Sequence, residues 1–345
     1  MIRRPLPIAF ALFALTVLAP VAAGQTEGAP PPEAAAPTAV KAPAVSMERL
    51  AADLRWLTSF PTRHTLSAQN VEVAKALREK FRAMGYEDVT LEEFPVARTT
   101  RFNVVATKPG RTRPDEIVVL GAHFDSRNKD DADARGPAPG ADDNASGTSA
   151  VLEIARRLAN VPTARTVRFV LFSGEEQGLI GATAHAEALK AAGANVVLMA
   201  NLDMVGHSSP PGPDGDAPPP TFPERTAAPD AAGARRSIYV ESDQGLDSPD
   251  NDAASQRWGD RLEQIVYGYG LGVSRGPLYG TDYLPFETAG YPAVGLYDGA
   301  DTEPFYHNAD DLPAVVDADY HARAASATLE LVTLAAGAAE PAEAP

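Results

Sequence analysis

The sequence predicts an α/β fold: one domain with a mixed, mainly parallel central sheet flanked by helices. Two observations predict it. Three short runs, residues 117–122 (IVVLGA), 167–172 (VRFVLF) and 196–202 (VVLMANL), have the length and apolar character of strands buried on both faces, and helical stretches separate them. Each run also delivers a histidine or an acid where it ends: His123 and Asp125 after the first, Glu175 and Glu176 after the second, Asp203 after the third. Parallel sheets bind ligands outside the carboxyl ends of their strands, so these polar residues are expected along that edge.

Taken in chain order, residues 1–23 read as a secretory signal. Arg3 and Arg4 form the charged start, residues 8–18 the apolar stretch, and Val21, Ala22 and Ala23 a small-residue cleavage site. The apolar stretch is too short for a membrane span. Residues 24–45 are rich in Ala and Pro with almost no large apolar side chain, so a disordered linker is expected there. From Ser46 the pattern changes. Met47, Leu50, Leu54 and Leu57 fall at helical spacing, and residues 71–84 make a second amphipathic helix ended by Gly85. Residues 90–96 and 102–107 read as a pair of strands before the one that reaches His123. Residues 145–159 form a strong helix that Asn144 or Ser146 can cap. Residues 208–236 are proline-rich with little that could pack, and read as an inserted loop. A short strand at 238–240, a helix at 255–266, a buried strand at 291–297 and a closing helix at 317–335 complete a catalytic domain of 46–339, with a tail at 340–345. No repeat and no second core interrupt it.

Composition bounds the function. The chain has 345 residues, enough for one large core, and a formal net charge of −16, which becomes −18 when Arg3 and Arg4 leave with the signal. So acidic a surface repels nucleic acid and anionic lipid, so neither nucleic acid nor stable membrane association is expected. With no cysteine, neither a disulfide framework nor a lipid-modified cysteine is available, and export to periplasm or medium is the expected localisation.

Five residues stand out as metal ligands: His123, Asp143, Glu176, Asp203 and His307. Two imidazoles and three carboxylates suit borderline cations such as zinc, and point to a two-metal hydrolase. Glu175 is one carboxylate more, available for proton transfer; successive side chains leaving a strand point apart, so Glu175 and Glu176 do not both bind one ion. Asp125, two residues past His123 on an extended segment, is placed to accept the imidazole's other N–H and orient the ring. His64, His185, His207 and His321 have no such context and read as surface or satisfied core residues, with His207 a candidate for the cleft mouth. Met204, Leu278, Tyr279, Phe286, Phe305 and Tyr306 flank the motifs and are candidates for an apolar substrate pocket, with core packing as the alternative.

Six stretches in order carry a resemblance: Gly121-Ala122-His123-Phe124-Asp125-Ser126, Pro139 to Gly147 (PGADDNASG), Ser173 to Leu179 (SGEEQGL), Asn201 to Gly206 (NLDMVG), Thr281-Asp282 and His307 to Asp311 (HNADD). Together they resemble the secreted zinc aminopeptidases with two co-catalytic metals, a leucyl-aminopeptidase-like family related to glutaminyl cyclases and glutamate carboxypeptidases. The resemblance implies two Zn2+ per chain, with other divalent metals possible. Asp143 would bridge them, His123 and Asp203 would complete one ion's shell, and Glu176 and His307 the other's. It further implies Glu175 as general base, a cis peptide at Asp143–Asn144, and peptides with a free N-terminus as substrates. Asp282 matches a family position, but the family pattern continues with histidine where this chain has Tyr283, which leaves the role of Asp282 open. Asp311 is a candidate to orient His307. The alternatives are a glutaminyl cyclase-like acyltransferase and a non-catalytic binding module on the same fold; the complete ligand set with Glu175 argues against both.

Overall fold

The run that delivers His123 becomes β3 (Arg113–His123), an interior strand of an eight-stranded sheet. The computed structural model describes residues 45–208, 237–245 and 248–338; the expected signal, the linker up to residue 44, residues 209–236 of the proline-rich stretch and the tail lie outside the described residues. β4 (Arg165–Phe172) and β5 (Asn195–Leu202) lie on either side of β3 and parallel to it, and β8 (Ala293–Tyr297) extends the parallel block beyond β5. A hairpin of β1 (Asp88–Val96) and β2 (Thr99–Lys108) joins β4 antiparallel, while β6 (Ser237–Ser242) pairs antiparallel with β8 and parallel with the edge strand β7 (Gly272–Gly276). The order is therefore β1-β2-β4-β3-β5-β8-β6-β7, mixed with a parallel centre, as expected from the sequence.

The chain leaves β3 for β4 on one side, then crosses to β5 on the other. At such a reversal successive connections depart in opposite directions and open a crevice at the carboxyl ends of the strands. Three of the motif stretches arrive there.

Alternation along β3 shows why its apolar run is nearly continuous. Val118 and Leu120 pack with α1 (Met47–Thr58), α2 (Ala68–Ala83), α3 (Gly147–Leu158), α5 (Asp252–Gly268) and α7 (Ala318–Ala336) on one face. Ile117 and Val119 pack with α4 (Ile180–Ala191) and α6 (Leu284–Thr288) on the other. Each such fully buried side chain contributes roughly 1.5–3 kcal/mol of apolar transfer free energy. The helices at 47–58, 71–84, 145–159, 255–266 and 317–335 and all the strands read from the sequence are present. α4, α6 and β7 were not individually anticipated. α4 is built largely of Ala and Gly, and α6 and β7 are five residues each, so none carries a strong apolar period.

Candidate metal centre

The ends of β3 and β5 bring two ligand candidates together directly. His123 Nε2 lies 3.1 Å from Asp203 Oδ1. The remaining three come from loops. Glu176 follows β4 in the Ser173–Leu179 stretch, His307 sits in the segment after β8, and Asp143 belongs to the Ala141–Ser146 turn that leads into α3.

That turn is over-determined by its surroundings. Gly140 enters it with φ +54, and a Cβ there would meet Asp143 O at 2.3 Å, Ser126 Cβ at 2.7 Å and the Arg63 guanidinium at 2.9 Å, so only glycine fits. The Asp143–Asn144 peptide is cis, as the resemblance implies. Asn144, rather than Ser146, caps α3: its Oδ1 accepts from Gly147 N at 2.8 Å, while its Nδ2 donates to Leu202 O at 2.9 Å and ties the turn to the end of β5. Ser146 Oγ donates instead to Asp142 O and accepts from Val205 N. Asp311 accepts the backbone N–H groups of Asp142 (2.8 Å) and Asp143 (3.0 Å). It therefore anchors the turn, and its orienting role toward His307 is replaced by that one.

The geometry around Asp143 divides the five residues into two triads. His123 Nε2 approaches Asp143 Oδ1 at 3.3 Å, and His307 Nε2 approaches Asp143 Oδ2 at 2.9 Å and Glu176 Oε2 at 3.1 Å. In each triad, His123/Asp143/Asp203 and Asp143/Glu176/His307, the ligand atoms lie within 4.8 Å of one another. Ligand atoms at ~2.0–2.1 Å from a tetrahedral ion stand ~3.3 Å apart, which these separations approximate. The tautomer argument points the same way. His123 Nδ1 faces Asp125, with the backbone O at 3.3 Å and Oδ1 at 3.6 Å, and Asp125 Oδ1 has no other partner among the described residues. An Nδ1–H aimed there leaves Nε2 a lone pair facing two carboxylate oxygens, an arrangement a cation stabilises. Asp125 itself is fixed by Thr65 Oγ1 (2.8 Å) and Glu176 N (3.3 Å) on its other oxygen, and Thr281 Oγ1 donates to Asp203 Oδ2 at 2.5 Å.

Electrostatics reflect the concentrated negative charge. Burial lowers the His123 pKa, but Asp203 and Glu175 more than offset it, so the ring's pKa stands well above its ordinary value. His307 is likewise raised to about 9 by Asp143 and Glu176 against the effect of burial. The two histidines hold Asp143 well below the usual carboxylate range despite its burial. Glu175 moves the opposite way: burial and the charges of Asp203, Glu176 and Asp282 raise it well above its ordinary value, against His123. Asp282 is fully buried beside these groups with both oxygens unpartnered among the described residues, and burial with the Asp203 and Asp125 charges raises it strongly, against His123. Two of the four non-glycine residues with positive φ among the described residues, Met204 (49°) and His307 (50°), lie at this site, each holding a conformation that costs of order 1 kcal/mol.

Several functional neighbours had no signal in the sequence. Arg63 is fully buried and donates from Nε to Phe124 O (2.7 Å) and from the terminal nitrogens to Leu57 O, Pro139 O and Gly140 O (2.9 Å). Arg127 Nε donates to Glu176 Oε2 at 2.8 Å. The cavity beside the triads is lined by Met204, Tyr279 and Tyr306 from the expected apolar set. Leu278 and Phe286 pack into the core with Val119, and Phe305 packs with Met204 and Ala300, so the apolar pocket is corrected: its place is taken by a mixed wall that includes Glu241, Tyr283, Tyr297 and Asp301. The other histidines find partners away from the triads, although His185 Nε2 is buried without one among the described residues. His64 lies 3.0 Å from Asp131 O, His185 pairs with Glu92, and His207 Nδ1 is 2.8 Å from Val315 O with its ring against Phe305.

His321 of α7 packs under the same turn, Nε2 donating to Ser146 O at 2.9 Å. Burial pushes its pKa down to about 4, against that hydrogen bond. The folded pKa is below the unfolded value, so between pH 6.5 and 4 the unfolded chain binds more protons and stability rises with pH. The destabilisation is absent above 6.5 and reaches about 3 kcal/mol near pH 4. In urea melts at pH 4, 5 and 6.5, His321→Gln is expected to flatten the wild-type loss by that amount; parallel pH profiles would contradict the assignment.

A donor set of this kind at the carboxyl edge of a mixed α/β sheet is suited to holding divalent metal. Residues 103–213 match the model of peptidase family M28. It is 35% identical over 282 residues to a probable zinc metalloprotease of Pyrenophora tritici-repentis, covering 72% of this chain and 63% of that protein. It is 36% identical over 172 residues to a probable leucine aminopeptidase of Trichophyton verrucosum, covering 47% of this chain and 44% of that one. The chain thus spans less than two thirds of the length of these curated relatives. The crystal structure of the LapA aminopeptidase of Legionella pneumophila superposes with a TM-score of 0.66 at 18% identity, covering 86% of this chain and 72% of that one, a likeness of fold.

Proposed function

We propose that the protein is an exported zinc-dependent exopeptidase that removes the N-terminal residue of peptides with a free amino terminus. The observation that carries the reading is Asp143, which presents one oxygen to each of two His/carboxylate triads. His123 and Asp203 would hold one ion and Glu176 and His307 the other, with Asp143 shared. Bound there, two zinc ions would polarise the scissile carbonyl and lower the pKa of the attacking water. The chain's own residues do the rest. Asp125 and Thr281 fix the orientation of His123 and Asp203. Glu175 lines the same cavity without belonging to either triad, so its carboxylate is left to take the proton from the attacking water and pass it to the leaving amine nitrogen as the C–N bond breaks. Burial raises its pKa above the ordinary carboxylate value, the direction that strengthens it as a base. The M28 match and the zinc metalloprotease and leucine aminopeptidase relatives support the peptidase reading. The catalytic domain is taken as residues 46–339, and export to periplasm or medium follows from the signal-like residues 1–23.

Hydrolysis of aminoacyl 4-nitroanilides and their N-acetylated counterparts, with and without chelator, tests it. Cleavage confined to free-amine substrates and abolished by chelator is expected. Turnover of blocked substrates, or activity that survives complete metal removal, would contradict it.

A further inference from the structure

Beside the triads, the cavity wall is acidic. Glu241 lies on β6 opposite Gly295 of β8. A Cβ at Gly295 would come within 2.4 Å of the Tyr283 ring, so its absence lets Tyr283 lie against the strand and donate its hydroxyl to Glu241 Oε2 at 2.5 Å. Glu241 is thereby held, nearly buried, as part of the cavity lining. Asp301 lines the same cavity from the segment after β8. Its backbone N–H donates to the Tyr297 hydroxyl at 3.3 Å, the same hydroxyl lies against its carboxylate, and its Oδ1 is buried with no further hydrogen-bond partner among the described residues.

Glu241 and Asp301 are acids of this wall beyond the candidate ligands and Glu175. Around them stand the rings of Tyr279, Tyr297 and Tyr306. Aromatic faces beside a carboxylate suit a side chain with a long aliphatic stem and a cationic tip: the stem covers the rings and the tip reaches the acid.

We propose that Asp301 and Glu241 select a basic first side chain, so that the preferred substrates are peptides beginning with lysine or arginine. The inference rests on the peptidase reading above and names the substrate class of that same site. A lysyl or arginyl tip donates a charge-assisted hydrogen bond to Asp301 Oδ1 within the field of both carboxylates. An acidic first residue is repelled.

The test compares lysyl, arginyl, norleucyl, leucyl and glutamyl 4-nitroanilides on the zinc-loaded full chain; norleucine matches the lysine stem without its charge. The kcat/KM for lysyl is expected to exceed that for norleucyl by about tenfold or more, with glutamyl the poorest, as one charge-assisted hydrogen bond would give. Asp301→Asn is expected to lower the lysyl-to-norleucyl ratio toward one, mainly through KM for lysyl, and raised ionic strength to lower it in the wild type. Norleucyl cleaved as well as lysyl by the wild type would overturn this inference and leave the peptidase reading standing. Failure to cleave any of the five substrates would overturn both.

Discussion

Glu175→Gln is expected to keep its zinc and lose turnover by ~10²–10⁴-fold, the usual worth of a positioned general base. The substitution preserves size and removes only the ability to take a proton. Glu175 belongs to neither triad, so the side chains that would hold metal are untouched. The adjacent residue gives the contrast: Glu176 Oε2 stands 3.1 Å from His307 Nε2, so Glu176→Gln is expected to weaken metal binding as well as rate. Steady-state kinetics with metal content measured on the same samples separates the two. A Glu175→Gln protein that turns over within a factor of about ten of wild type would remove Glu175 from the proton transfer.

Arg63→Ala is expected to cost about 3–5 kcal/mol of folding stability, because it strips the partner from carbonyls buried together with a charge. The guanidinium is fully buried, and its donors go to the carbonyls of Phe124, Leu57, Pro139 and Gly140. Burial lowers its pKa to about 10, with Asp311, Asp125 and Asp143 opposing, so it remains charged at neutral pH. Two of its acceptors begin the turn that presents Asp143, which ties the stability of that turn to the placement of the shared ligand. Arg63→Lys is expected to recover only part of the loss, since an ammonium cannot match the planar fork. Guanidinium melts followed by circular dichroism give the comparison. A loss under about 1 kcal/mol for the alanine variant would show that water replaces the guanidinium at little cost.

Much of this was legible before any coordinates. The three strand ends could be read because an apolar run followed by His123, Glu176 or Asp203 combines a local signal for burial with a local signal for chemistry. Asp143 and His307 sit in loops with no periodicity, so residue type and order along the chain marked them as ligands, and only the resemblance assigned which ion each would hold. Arg63 was invisible. A charged residue in a Pro-Thr-Arg-His-Thr turn reads as solvated, and its acceptors Phe124, Pro139 and Gly140 are 61, 76 and 77 residues away. The substrate wall failed for a related reason. Nearness in sequence to a motif does not fix which face a side chain takes, so Leu278 and Phe286 went to the core, while Glu241 arrived from a strand with no motif beside it.

The shared ligand offers the most direct measurement. Zinc titrated into chelator-treated protein, followed by calorimetry and elemental analysis, is expected to reach two ions per chain in the wild type, about one in His307→Ala, and to lose tight binding of both in Asp143→Ala. One ion or none in the wild type, or an Asp143→Ala protein that still binds two tightly, would contradict a centre organised around Asp143.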